Sequence, residues 1–309
     1  MPKYILKRLL SMIPIMLGVT FIIFLLLYIT PGDPARIILG DQATEESLAD
    51  FRREQGLDKP FLYRYGLFVY RAVTRGDIGR SYITNRPIAK EIADVFPSTL
   101  KLTFGAVGLA MLVGIPFGIV CAIRQYSIFD NVTIVLAMLG ISAPNFYLGI
   151  LLILFFSVHL GWFPSSGFDS LRAMVLPCVT LAANTMAIIT RMTRSSMLEV
   201  VRADYIRTAR AKGQRESVIV VKHALRNALI PIMTIVGIQF GHLMGGAILT
   251  ESVFSIPGVG RLMVDGIKAR DYPMVQGGVL YIAIAFAIIN LVVDLLYTVV
   301  DPRLKTRYR

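Results

Sequence analysis

Six long stretches of this chain contain no Asp, Glu, Lys or Arg, and they constrain its fold more than any other feature. They are Leu9–Ile29, Leu102–Ile123, Asn131–Leu160, Ala173–Thr190, Asn227–Thr250 and Tyr272–Val293. A bilayer core about 30 Å thick takes roughly 20 apolar residues in helix, and each stretch meets or approaches that length. A soluble chain of 309 residues could not hide so much apolar surface. The hydrophobic share of 55% and charged share of 17% depart from the roughly 45–50% and 25% of soluble domains. Prolines fall well inside five of the stretches (Pro14, Pro116, Pro144, Pro177, Pro231), which membrane helices tolerate. The fourth stretch is the shortest and carries both Pro177 and Asn184, making it the weakest span on this criterion. The expectation is an all-α integral membrane protein with six transmembrane helices.

Lys and Arg in the short flanking loops set the orientation. With the N-terminus inside, residues 1–8, 124–130, 191–226 and 301–309 are cytoplasmic. These hold 17 of the 32 basic and 5 of the 20 acidic residues, so the whole formal charge of +12 faces the cytoplasm and both termini lie there. A basic face on anionic lipid accounts for this charge, and no nucleic-acid partner is needed. The first stretch follows a basic start that resembles a signal peptide, but it is too long for one and no small-residue cleavage pattern follows. It is expected to stay as a helix.

Chemistry that would suggest catalysis is missing from the sequence. Cys121 and Cys178 lie in apolar runs, and His159, His223 and His242 are far apart, with no metal-ligand spacing. No G-x-x-x-x-G-K-[ST] or G-x-S-x-G pattern occurs. The expectation is a non-catalytic chain without cofactor or metal. An ion-driven secondary transporter is the alternative in a different class. It should show mid-span acids and repeat symmetry, and neither is seen.

The domains expected are an N-terminal transmembrane helix (1–30), an external loop subdomain (31–96), a five-helix core (97–298) and a basic cytoplasmic tail (299–309). Inside the core, the loop 195–228 draws attention. Met197–Lys212 has no proline or glycine and reads as one helix. Val201, Tyr205, Thr208, Ala209 and Lys212 recur at helical spacing as one narrow face. Gly213 suits a left-handed turn, and a second helix, Gln214–Asn227, returns to the membrane. Two helices joined at a glycine between the fourth and fifth spans make a lever, or a basic loop resting on lipid.

This element resembles the coupling loop of ABC-importer permeases, in the variant of the dipeptide/oligopeptide/nickel branch. The residues that carry the likeness are Asp204 to Gly213 and His223 to Pro231. Shorter stretches extend it along the chain. Pro31-Gly32-Asp33-Pro34, Gly76-Asp77-Ile78-Gly79, Pro97-Ser98-Thr99-Leu100, Glu251 to Leu262 and Arg270-Asp271-Tyr272-Pro273 are similar to the first (B-type) permease subunit of that branch.

The resemblance implies a type I ABC-importer permease in a bacterial inner membrane, with several partners. These are a second homologous permease, two ATPases that hold ATP and magnesium, and an external binding protein that delivers di- or oligopeptides or a related solute. It assigns ATPase coupling to Asp204, Tyr205, Arg207, Thr208, Ala209, Arg210, Lys212 and Gly213. Polar residues in the spans, Ser142, Asn145, Asn184, Thr185, Gln239, His242 and Asn290, are candidates for the translocation path, with Asp294 one turn beyond Asn290. Gly237, Gly241 and Gly245 on the fifth span, and Ala110, Gly114 and Gly118 on the second, form rows of small residues. Such rows let helices approach closely, either as a sliding or gating surface between permeases or as packing within one chain.

Overall fold

A computed structural model describes the backbone of residues 2–300 and the side chains of residues 8–293 and of Leu295. The expected tail from 301 on and the side chain of Asp294 lie outside the described residues. In chain order the helices are α1 (Pro2–Ile29), α2 (Pro34–Leu39), α3 (Glu45–Glu54), α4 (Phe61–Arg75), α5 (Ile88–Ile123), α6 (Ile128–Ser142) and α7 (Asn145–Leu152). They continue with α8 (Leu171–Val201), α9 (Asp204–Ala211), α10 (Glu216–Val218), α11 (Arg226–Val253), α12 (Val259–Lys268) and α13 (Tyr272–Val300). Wider π-helical turns follow α7 (Ile153–His159) and join α10 to α11 (Ile219–Leu225).

Among the described residues, five helices are long and apolar enough to cross a membrane: Arg8–Ile29, Ile88–Ile123, Leu171–Val201, Glu216–Val253 and Tyr272–Val293. The third apolar stretch differs from expectation. It is a pair, Ile128–Ser142 and Asn145–His159, bent by 104°. Pro144 explains the break. A proline disfavours helical backbone in the residue before it, and Ala143 is extended (φ −83°, ψ 130°). Pro14, Pro177 and Pro231, by contrast, stay inside continuous helices.

The chain divides into two compact units. One comprises Leu100–Ile256 with the helix end from Ile288 on. Its centre is α8, the stretch that looked weakest, which packs against α6, α7 and α11. Its buried positions include Thr180, Thr185, Thr190, Thr193 and Ser196. A membrane helix enclosed by protein needs small and hydroxyl side chains for close packing rather than lipid-facing bulk. That is why its apolar signal is weak.

The glycines of α5 press on α8. A Cβ added at Gly118 would lie 2.6 Å from the Thr190 carbonyl oxygen, and one at Gly114 3.0 Å from that of Met186. On the second span, then, the small residues serve packing within the chain. The row on α11 is divided. A Cβ at Gly237 would meet Val293 at 2.5 Å, Gly241 is buried, and Gly245 has open space beside it.

The other unit comprises Pro2–Thr99 and Pro257–Ala287, so α1 to α4 belong with the segment around α12. Short motifs far apart in sequence meet here. Asp271, 2% exposed, accepts hydrogen bonds from the Ser81 hydroxyl, the Tyr82 amide (3.2 Å) and the Met274 amide (3.4 Å). Arg270 donates to the Pro31 carbonyl at 2.6 Å, and its guanidinium covers Gly32, whose φ of +123° suits glycine. Thr99 Oγ1 accepts from the Val259 amide at 3.0 Å, satisfying a free N–H at the start of α12. Asp33 accepts from Ala35 and Arg52. Burial pushes its carboxyl up, but these donors outweigh that and hold it below the usual carboxylate range.

Three outcomes are expected. Asp271→Ala strands two buried donors and should cost about 1–3 kcal/mol, read as faster protease cleavage between residues 30 and 88 in membrane vesicles. Gly118→Ala should cost about 1–3 kcal/mol by overpacking. Gly245→Ala should be neutral or gain up to about 1 kcal/mol from helix propensity. Thermal unfolding in detergent separates those two.

Candidate functional site

The run Met197–Lys212 is not one helix. Its first turns are the end of α8, the backbone breaks at Arg202 and Ala203, and α9 begins at Asp204. Ala203, in extended conformation, offers no side-chain cap, and an acid at the first helical position (Asp204) suits the helix dipole instead. The expected face also divides. Ile206 (0% exposed) and Ala209 are buried, anchoring α9 by an i, i+3 pair, whereas Tyr205, Arg207, Thr208 and Lys212 are exposed. Ala209 therefore faces inward and Tyr205 outward. Leucine-sized bulk at position 209 would lift the helix from its seat.

Gly213 takes φ +71° with nothing within 4 Å of a would-be Cβ. Backbone conformation, not crowding, selects glycine there. Across this turn Arg210 holds Glu216 by two bonds, Nε–Oε2 3.2 Å and Nη2–Oε1 2.6 Å. The Glu216 carboxylate raises the Arg210 pKa above its ordinary value, against a smaller opposing effect of burial. From Glu216 the chain runs into the π turns, where Ile219, Val220 and Ala224 are buried, and on into α11. The second expected helix is thus the start of a membrane helix rather than a separate piece. A turn closed by a bidentate ion pair links α9 to it directly.

Sequence reasoning missed a second tie. Asp130, fully buried at the start of α6, receives Arg194 of α8 in a two-pronged ion pair, Nε–Oδ1 2.6 Å and Nη2–Oδ2 2.7 Å. The Tyr126 amide donates to the same carboxylate at 2.9 Å, with Tyr126 at φ +63°. Arg202 adds a bond to Gln125 at 3.0 Å. The short turn between α5 and α6 therefore clasps the end of α8 just before α9. The available signal was Arg194 in a long helical run together with Asp130 three residues after the cap Ser127, but sequence gives no hint that the two meet.

The break in the third stretch supplies the other feature. Ser142, Asn145, Asn184, Thr185 and His242 line one cavity of about 240 Å³. The Asn184 side chain donates to the Ile141 carbonyl at 3.3 Å, next to the break. Non-helical backbone at membrane depth persists only where protein or a cavity satisfies it. Gln239 is buried beside the cavity and donates to Thr185 at 3.4 Å. Asn290, half-buried on α13, is not among the lining residues.

Similarity to known proteins accords with this layout. A family model described as "Binding-protein-dependent transport system inner membrane component" matches residues 114–306. Its N-terminal counterpart, "Binding-prot-dependent transport system membrane comp, N-term", matches residues 1–103. The dipeptide transport system permease protein DppB of Alkalihalophilus pseudofirmus is 43% identical, over 99% of this chain and all of its own length. The glutathione transport system permease protein GsiC of Escherichia coli K12 is 44% identical, over 99% of each chain. Among solved structures, an inward-facing MetNI methionine ABC transporter superposes with a TM-score of 0.58 at 22% identity. The match covers 69% of this chain and 97% of that one, and it shows a shared fold.

Arg194→Ala should leave Asp130 as an unpaired buried charge and cost about 3–5 kcal/mol. Arg194→Ala combined with Asp130→Ala should recover part of that loss. Melting temperatures of the single and double variants in detergent check the coupling.

Proposed function

Because this chain belongs to the family of binding-protein-dependent transport system inner membrane components, we propose that it carries half of the translocation path for a small peptide-like solute. It is a permease subunit of an ABC importer in the inner membrane, not a catalyst. Membership implies an ATPase and a binding protein as partners. A second homologous permease completes the path, and two ATPase subunits holding ATP and magnesium drive it. The binding protein delivers solute on the external side. The curated relatives named above carry dipeptide and glutathione, so the substrate class is di- or oligopeptides or a thiol peptide of similar size.

One observation carries the coupling role. α9 is seated by Ile206 and Ala209, while Tyr205, Arg207, Thr208 and Lys212 remain outside. A helix anchored on one face and free on the other is ready to be gripped. Both of its ends are tied. Towards α8 it meets the Asp130–Arg194 and Gln125–Arg202 clasp, and towards α11 the Arg210–Glu216 turn. A displacement of α9 by a closing ATPase pair is therefore passed to α8 and α11 together, and through the clasp to α6. These helices surround the polar cavity at the Pro144 break, where Ser142, Asn145, Asn184 and His242 can meet the peptide's amides and termini. No fixed charge lines that cavity, so binding there is weak and selectivity rests with the binding protein. A ligand shifts a two-state device only through contacts that differ between the states, and α9 is the element placed to make them.

Gly213→Val should reduce ATP-driven uptake in proteoliposomes at least tenfold while ATP hydrolysis by the assembled complex continues. Unchanged uptake in that variant would sink the coupling role. Cysteine at position 205 should crosslink to the ATPase subunit, and absence of the crosslink would count against the grip.

A further inference from the structure

A second cavity, about 450 Å³, lies in the unit built from α1–α4 and the segment around α12. Its basic lining consists of Arg64, Arg71 and Arg75 from α4, with Lys59 and Arg80 beside them; Glu54 and Asp77 are the acids. Positions 64, 71 and 75 fall on one face of α4 at i, i+7 and i+11. Among the described residues none of these three arginines forms an ion pair, whereas Lys59 lies 3.5 Å from Asp58 and Arg80 donates to the Asn85 carbonyl. Asp77 is engaged by the Gly79 amide at 2.9 Å. The cavity therefore holds a surplus of uncompensated cations.

Its depth is fixed by two membrane helices. Phe24 and Gln276 both line it. Phe24 lies five residues before the end of the span Arg8–Ile29, and Gln276 four residues into the span Tyr272–Val293. At 1.5 Å per residue these are about 8 Å and 6 Å below the ends of the spans. The cavity therefore opens near the ends of two apolar spans, on the side where headgroups lie. α4 is fixed against α1 by side-chain packing. Tyr65 donates to the Leu17 carbonyl at 2.8 Å and packs on Phe21 and Phe24, and Phe61 packs on Phe21. On the face of α4 opposite the arginines, Leu62 and Val73 are 71% and 79% exposed. Lipid chains, not water, suit that face.

We propose that this cavity binds the phosphodiester headgroup of an anionic phospholipid in the leaflet on the Ile29 side. The guanidiniums of Arg64, Arg71 and Arg75 would supply the paired N–H donors that match phosphate oxygens. The lipid's chains would lie against the apolar lining that Phe24, Leu67 and Phe68 give the cavity. Bound lipid would fix α4 against α1.

The test uses the full-length chain in its assembled complex, purified in detergent and re-equilibrated with phosphatidylglycerol or phosphatidylcholine, with retained lipid counted by native mass spectrometry. Phosphatidylglycerol should be retained in preference to phosphatidylcholine. Arg64→Gln/Arg71→Gln/Arg75→Gln should reduce its retention at least tenfold. The triple lysine variant, which keeps the charge but loses the paired donors, should retain more lipid than the glutamine variant and less than the parent, which separates loss of a site from loss of folding. Equal retention of the two lipids, or retention unchanged in the glutamine variant, overturns the proposal. Titration with inorganic phosphate alone distinguishes the source. Arginine-dependent binding of phosphate without any preference for phosphatidylglycerol would make this a soluble-anion site and overturn the lipid assignment.

Discussion

A bilayer offers no water to a freed backbone group or an unpaired charge, so both must be satisfied within the protein. That constraint explains why the interior of the core unit is arranged around α8. It supplies Asn184 to the carbonyl of Ile141 beside the Pro144 break, Arg194 to the buried Asp130, and a backbone surface at Met186 and Thr190 against which the glycines of α5 pack. One helix thus serves as packing partner, hydrogen-bond donor and counter-ion. Its hydroxyl-rich composition follows from being surrounded by protein.

The same helix ends beside α9, the element proposed to couple to the ATPase. α8 runs without interruption from the cavity region, at Asn184 and Thr185, past Arg194 of the clasp to Val201, next to Arg202 and α9. The distance from Thr185 to Val201 is about 24 Å at the helical rise. Over that span a hydrogen-bonded helix moves as a rod, whereas a loop would absorb the motion. Rigid transmission needs the ends tied, and the Asp130–Arg194 and Arg210–Glu216 pairs do this on the two sides of α9. The break at Pro144 is the complementary feature, a place where backbone is irregular and polar groups face a cavity.

Much of this was legible in the residues. The apolar stretches gave the crossing helices, because burial in lipid leaves a one-dimensional record of length and charge. Gly213 announced its turn, since only a residue without a Cβ takes φ +71° without strain. The short motifs around Pro31, Thr99 and Asp271 pointed to a family through their order, although their physical role, as partners in one hydrogen-bonded hub, could not be read. The helix break at Arg202 was hidden because Met197–Lys212 contains no local breaker. The division of α9 into an inner face at Ile206 and Ala209 and an outer one at Tyr205 depends on what it packs against.

By itself the sequence determined that the chain lives in a membrane, roughly where it crosses, and that a glycine-hinged basic element interrupts the crossings. Those features are local, written in runs of residue type and in backbone preference. Only the tertiary structure decided that Pro144 breaks a span while Pro14, Pro177 and Pro231 do not. It likewise decided that Asp130 meets Arg194, and that Arg64, Arg71 and Arg75 share a cavity with Phe24 and Gln276. Each of these depends on residues distant in the chain arriving at one point, where desolvation makes an unpaired group costly and a paired one worth keeping.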